Sequence, residues 1–395
     1  MKLAAVFAIF AVLAAPARAQ DPVWVWQGLL QQHLRVLESP RPQGLNEGFL
    51  APRIRGSAQA TWPALSLRVQ ALGGEGRLDW EDAYLELLLG QGFSLRLGRF
   101  KVPLGLEAGR DEAVQDWAEP GFCAGLLSLR DQGVLLRWED ERGLVQVEGA
   151  VVNGGQDGEA PLTDTDSDKD AVGRVYLRPF RAARWEAWRN LGLGWAASGG
   201  HRSQLLNLPR YASPAGVPLF RYHDGTHFDG QVWRVAPQAA WRWDRVDLRF
   251  ELAKSEFQAQ RVSGTGGTNS TFLHHDAFQV QGLWALGGAR VDERGLGRAE
   301  GSAWDAWALL GRYQELRFDS GTYDRVGETR FASLRESVSR AESWSVGLAC
   351  LPRPDLRVQL TWTQTRFRDG AQDADGRQRD REPEGFLLLQ VQMEL

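Results

Sequence analysis

Ten arginines carry most of the chemistry that this sequence could do. Arg53, Arg55, Arg68, Arg96, Arg137, Arg174, Arg178, Arg242, Arg249 and Arg357 all fall on the polar phase of segments in which apolar and polar residues alternate. A guanidinium is a planar, permanently charged fork that takes a carboxylate or phosphate through two parallel hydrogen bonds. A ladder of such forks could replace part of an oxyanion's hydration, and weak contacts in series would let the ion leave again. The same arginines could instead pair with acids on their own face, as Arg249 could with Asp247 or Glu251. Opposing the ladder is the acidic stretch Glu107–Leu129, where Glu107, Asp111, Glu112, Asp116 and Glu119 stand against Arg110 alone. Charges at a narrow point between low-dielectric walls count for more than charges elsewhere, so this stretch could govern what passes.

Other constellations are weaker. His223, Asp224, His227 and Asp229 lie close in sequence within a long polar stretch, but zinc needs three or four converging ligands, and a solvated loop explains them as well. The run Asp164, Asp166, Asp168, Asp170 resembles the start of a calcium loop yet lacks the glycine at position six and the glutamate at twelve. His274 and His275 have no partner motif, and Ser198 with His201 has no orienting acid. There is no nucleophile elbow, phosphate loop or dinucleotide fingerprint. These observations predict a protein that is not an enzyme and that holds no metal or cofactor. Cys123 and Cys350 are too few for a disulfide scaffold; they could form one bridge, but read more readily as two unpaired thiols.

The elements that must position the arginines are strands. Ile54, Ala58, Ala60 and Trp62 alternate with Arg53, Arg55, Ser57 and Gln59; Val246, Leu248, Phe250 and Leu252 alternate with Asp247, Arg249 and Glu251. Leu356–Trp362 and Leu389–Leu395 repeat the pattern, and about sixteen such segments run down the chain. The connections alternate too. Pro63, Gly90-Gln91-Gly92, Glu139–Arg142, Asp244-Arg245 and Pro352–Pro354 are short. Glu38–Gly48, Glu107–Leu129, Asn153–Asp170, Gly199–Gly230, Gln258–Leu273, Arg317–Arg340 and Arg368–Pro383 are long. Arg181–Arg189 and Gly287–Gly301 are longer than a turn needs.

Lys2, the apolar run Leu3–Leu13 and the small-residue site Ala17-Arg18-Ala19 predict a secretory signal at residues 1–19, cut before Gln20. No later apolar run could cross a membrane as a helix. Many of the 17 tryptophans, among them Trp24, Trp62, Trp80, Trp138, Trp195, Trp243 and Trp284, fall toward strand ends, where an aromatic belt would sit. A net charge of −4 points to no nucleic-acid partner. The fold these features predict is all-β, a transmembrane antiparallel barrel of about 16 strands over residues 20–395, with the Glu107–Leu129 insert folded inward as the third outer loop.

The chain resembles the phosphate-selective porin O and P family. The resemblance rests on Leu95-Arg96-Leu97-Gly98-Arg99-Phe100-Lys101-Val102-Pro103-Leu104-Gly105-Leu106-Glu107, on Arg130-Asp131-Gln132-Gly133-Val134, and on Val152-Asn153-Gly154 followed by Asp168–Arg174 and Pro179-Phe180. Echoes follow at Trp233–Ala239, Ala303-Trp304, Arg312-Tyr313 and Ser345–Leu348. It implies a sixteen-stranded outer-membrane porin, usually trimeric, with a third loop in the lumen and an arginine-lined anion path. The sequence departs from that pattern in its acidic insert, in having only four lysines and in ending on Leu395 rather than an aromatic residue. The expectation is therefore an exported outer-membrane channel for small hydrophilic solutes, mildly favouring anions such as phosphate. Its partners would be membrane lipid, lipopolysaccharide and two further copies of itself. The alternative is a structural barrel that sheathes a partner such as a cytochrome.

Overall fold

A computed structural model describes residues 21–38, 45, 47–74, 76–164, 167–205, 208–262, 267–293, 295–299, 304–325 and 327–395. The leader read at residues 1–19 lies outside the described residues, as do Asp166 and part of the stretch after Glu38.

The chain is a closed antiparallel barrel of 16 strands. They are β1 (Val23–Leu37), β2 (Arg53–Trp62), β3 (Leu65–Gly74), β4 (Arg77–Gly90), β5 (Phe93–Lys101), β6 (Arg130–Glu139), β7 (Val145–Val152) and β8 (Asp170–Leu177). The second half comprises β9 (Gly192–Leu205), β10 (Thr226–Trp243), β11 (Val246–Val262), β12 (Thr268–Gly287), β13 (Ala306–Arg317), β14 (Val338–Arg353), β15 (Leu356–Gln372) and β16 (Glu384–Glu394). Each pairs with its neighbours in sequence, and β16 closes on β1 through a register running from Leu29 opposite Glu394 to Leu37 opposite Phe386. Closure satisfies every wall strand on both edges, which is why no helix is needed to cap the sheet.

Alternation decides the two faces. On β15 the polar phase Arg357, Gln359, Thr361, Thr363 and Thr365 is buried inside the barrel, while Leu360 on the other phase is 47% exposed. Leu248, Trp195, Trp243 and Trp284 likewise face outward. Burying a charge in the outward face should cost far more than adding one to the lumen. Leu360→Arg is expected to destabilise the barrel refolded in lipid vesicles by about 2–4 kcal/mol. Ser66→Arg, whose register partner is the lumen carboxylate Glu86, is expected to unfold at nearly the parental urea concentration. Equal losses at both sites would contradict the assigned faces.

Turn chemistry fits the register. Gly90, Gln91 and Gly92 all have positive φ, and a Cβ on Gly92 would sit 2.0 Å from the Glu139 carbonyl oxygen, so only glycine fits there. Asp244, with φ 50°, opens the tight β10–β11 hairpin.

The wall is lopsided. β8 has 8 residues, whereas β10, β11 and β12 have 18, 17 and 20. Several stretches read as long loops are accordingly strand: β9 runs on to Leu205, β10 begins at Thr226, β11 and β12 reach Val262 and Thr268, and β15 extends to Gln372. Above the apolar zone the outward positions also turn polar, so alternation fades although the hydrogen-bond ladder continues. The β3–β4 connection is a tight turn at the end where most connections are long.

Candidate functional site

The insert leaves the wall after β5 and crosses the lumen before β6 resumes. Its ends are set where Gly98 and Gly133 face each other in register; a Cβ on Gly98 would lie 2.3 Å from the Ala83 carbonyl oxygen. One helical turn at Leu106–Gly109 and short 3-10 turns at Glu112–Val114 and Ala124–Leu126 make up the strap.

Side chains of the tall wall hold it by its backbone. Glu251 on β11 accepts from the N–H groups of Leu106 (2.7 Å) and Glu107 (3.2 Å). Gln238 donates to the Leu104 carbonyl, and Gln314 accepts from the Phe122 N–H at 2.9 Å. Arg357 donates to the carbonyls of Gln115 and Asp116, Gln359 donates to Asp116, and Gln392 donates to Ala113, all at 2.7–3.0 Å. Arg312 donates to the Glu119 carbonyl at 3.0 Å and lies over the Trp117 ring. These lumen side chains supply what an irregular segment inside a barrel lacks, partners for peptide groups that no ladder satisfies.

The acids of the strap point at the wall. Asp111 meets Arg55 at 2.5 Å and Arg68 at 3.7 Å, Glu112 meets Arg53 at 3.2 Å, and Asp116 pairs with both Arg110 and Arg249. Glu107 accepts from Gln279 and from the Gly121 N–H. Burial opposes ionisation of Asp111 and Glu112, but the Arg55 and Arg53 guanidiniums outweigh it and hold both below the usual carboxylate range. Glu119 differs: it takes part in no ion pair among the described residues, and burial pushes its carboxyl from 4.5 up to about 7 despite the nearby Arg312. A raised carboxyl destabilises the folded chain as it ionises, so this group's penalty is absent below about pH 4.5 and complete above about pH 7. Glu119→Gln is therefore expected to melt at the parental temperature at pH 4.5 and several degrees higher at pH 8. A gap that stays constant with pH would refute the assignment.

What the strap leaves open is lined by the short wall and by the short-turn ends of β10 and β11. One cavity of about 350 Å³ is bounded by Arg68, Arg96, Lys101, Arg137 and Arg174, facing the carboxylates of Asp82, Asp111 and Glu148. A second of about 340 Å³ lies toward the short-turn end, where Arg110, Arg174, Arg178, Arg181, Arg189, Arg242 and Arg249 face only Asp247 and Glu293. Gln146 and Arg174 line both, so the two join into one path. Arg96 lies over the Tyr84 ring at 4.1 Å, and Arg174 and Arg178 lie over Tyr176 at 5.1 and 5.5 Å, which keeps these guanidiniums oriented toward the opening.

Of the ten arginines of the polar phase, Arg68, Arg96, Arg137, Arg174, Arg178, Arg242 and Arg249 border this path; Arg178 stands one residue beyond β8. Arg53 and Arg55 are engaged by Glu112 and Asp111, and buried Arg357 clamps the strap. Sequence reasoning missed Arg181 and Arg189, which sit in the longer turn after β8, and Glu86 and Glu148, which partner Arg96 and Arg174 at 3.2 and 3.0 Å. It also missed two fillers. A hairpin, Ala289–Asp292 with Gly295–Arg298, sets Val291 and Leu296 in an apolar cluster with Trp117. At the long-loop end Tyr211, Phe220, Phe318, Tyr323 and Phe331 fold inward against Phe257 and Phe367 and plug the tall side of the lumen.

The other candidates stay apart. His223 faces Asp324 at 3.0 Å, His227 leans on the Gly225 carbonyl, His274 faces Glu256, and His275 sits among aromatic rings. His201 and Ser203 both contact Asp168. Cys123 and Cys350 are free and buried.

No family model matches this sequence, and no curated protein matches it. Among solved structures, the outer-membrane channel DcaP of Acinetobacter baumannii superposes with a TM-score of 0.58 over 96% of this chain and 100% of its own, at 9% identity. OmpT of Vibrio cholerae, as expressed in the outer membrane, gives 0.57 at 9% identity over 96% of this chain and 99% of its own. OprB of Pseudomonas putida gives 0.54 at 8% identity over 95% and 94%. At such identities the likeness is one of fold: this chain shares the barrel fold of these proteins, of which DcaP and OmpT are described as outer-membrane proteins.

Proposed function

We propose that this protein is a bacterial outer-membrane channel through which small hydrophilic solutes diffuse passively, with a mild preference for anions. The observation that carries the reading is the path along β3–β8 and the short-turn ends of β10 and β11, where cationic side chains outnumber carboxylates in both cavities. In this reading the short turns face the periplasm, the long loops face outward, and the apolar outer wall meets lipid. The DcaP neighbour is itself described as an outer membrane channel. Phosphate is one admissible anion, but most guanidiniums on the path already face a carboxylate, so the reading is a diffusive pore and not a tight phosphate site. The strap and the aromatic plug also fill the space that a threaded partner protein would need.

Purified protein in a planar bilayer with a tenfold chloride-salt gradient tests it. The expected reversal potential corresponds to an anion-to-cation permeability ratio of about 2–5. An impermeable barrel, or a ratio below one, overturns the reading. Millimolar phosphate is expected to leave the chloride current largely unblocked.

A further inference from the structure

Arginines also gather on the outside of the barrel. Reading across the register at one height gives Lys254, Asp276, Arg317, Arg340 and Arg368 on the adjacent strands β11–β15. The next row down is Glu315, Glu342 and Arg366 on β13–β15. These residues belong to the outward phase: their neighbours in sequence Leu316, Ala341, Ser343, Thr365 and Phe367 are buried inside.

Like charges directly opposite each other on neighbouring strands are unfavourable, so three arginines abreast call for counter-charge. The wall supplies only part of it. Glu315 pairs with Arg317 and with Arg340 (2.9 Å), and Glu342 pairs with Arg340 at 2.5 Å. Arg366 lies over the Trp344 ring at 5.4 Å, and Arg366 and Arg368 are exposed and enter no ion pair among the described residues. Four guanidiniums thus face two carboxylates. Below them comes the row Tyr313, Trp344 and Gln364, and then exposed apolar side chains: first Val346 (55%), then Leu309 (44%), Leu348 (40%) and Leu360 (47%).

We infer that this patch, Arg317, Arg340, Arg366 and Arg368 above an apolar strip, is a binding site for the phosphorylated headgroup of an outer-leaflet lipid. The arginines take the phosphate by forked hydrogen bonds, and the acyl chains lie along the strip. A free anion would leave the strip uncovered, and an uncharged lipid would leave the guanidiniums unmatched. The inference rests on the outer-membrane reading above.

The full chain folded in nonionic detergent should be titrated with bisphosphorylated lipid A, with the same lipid after phosphate removal, and with inorganic phosphate. The intact lipid is expected to bind, and the other two to bind at least tenfold more weakly. Arg366→Gln/Arg368→Gln is expected to weaken lipid A binding by roughly tenfold, while Arg353→Gln, at the other end of β14, leaves it unchanged. Unchanged affinity in the double variant, equal binding of the dephosphorylated lipid, or displacement by equimolar phosphate overturns the site. Should the double variant not fold, Glu342→Gln decides the matter, because it removes one of the two carboxylates that face the four guanidiniums and leaves Arg340 with Glu315 alone: tighter binding supports the site, and unchanged or weaker binding overturns it. Insertion into plain phosphatidylcholine vesicles tests the membrane reading separately, since it needs the apolar wall and not the patch.

Discussion

Asp111→Asn/Glu112→Gln is expected to raise the anion-to-cation permeability ratio roughly three- to tenfold. Asp111 borders the first cavity and compensates Arg55 and, more loosely, Arg68; Glu112 compensates Arg53. Removing both charges leaves Arg53 and Arg55 unmatched and Arg68 with Asp82 alone at the edge of the path, where walls of low dielectric keep the field from being screened as it is in bulk salt. At an effective dielectric of about 20, a unit charge about 7 Å away is worth about 2 kcal/mol to a passing ion before salt screening. The strap itself should hold its shape. Asp111 also accepts the Ala113 N–H at 2.9 Å at the start of the Glu112–Val114 turn, and Asn caps a helix as well as Asp does. An unchanged reversal potential would mean that ions do not pass beside Asp111.

Excising residues 109–119 and joining Ala108 to Pro120 through two glycines is expected to raise single-channel conductance at least threefold. The strap leaves and rejoins the same place: the Glu107 carboxylate accepts the Gly121 N–H at 3.0 Å, so the cut ends already lie close together. The deletion removes the segment held by Arg312, Arg357, Gln359 and Gln392, and water can then solvate those side chains. The barrel should still form and still shift mobility on boiling, because its ladder closes without the strap. A folded barrel with parental conductance would show that the strap does not set the narrowest point.

The wall was legible in the sequence because its signal is local. Arg249 beside Leu248 and Phe250, or Gln359 between Val358 and Leu360, declares its face from a period of two alone. The same rule identified Arg68, Arg96, Arg137 and Arg174 as lumen residues. It could not say whether each would face open water or a carboxylate, since Glu112 reaches Arg53 and Asp116 reaches Arg249 across the lumen, from a segment without period. The net acidity of the insert was read correctly as a number, but its direction depends on the tall wall, whose Glu251 and Arg357 seize the strap backbone. The plug is hidden for a further reason: Phe257 and Phe367 occupy lumen positions, where alternation predicts polar residues, and loop residues distant in sequence, Phe331 for the first and Phe220 and Phe318 for the second, complete their apolar setting.

The seam between β1 and β16 sets the order of assembly. Leu29–Leu37 must find Phe386–Glu394, and Glu38 takes the Trp362 indole N–H, so the contacts that close the barrel join segments more than 300 residues apart. Loop-closure entropy makes such pairings slow, whereas the hairpins from β2 to β15 can zip between neighbours. Closure is therefore the last step, and until it happens the sheet carries two unpaired edges. One includes Leu-Leu-Gln-Gln at residues 29–32, the other Phe-Leu-Leu-Leu at 386–389. Both carry aliphatic or aromatic residues and are bare of charge, the composition that drives strands of different molecules together. The nascent chain is thus most exposed to aggregation between the end of synthesis and the meeting of its two ends. A chaperone or assembly factor that shields either edge would act on yield without touching the finished pore.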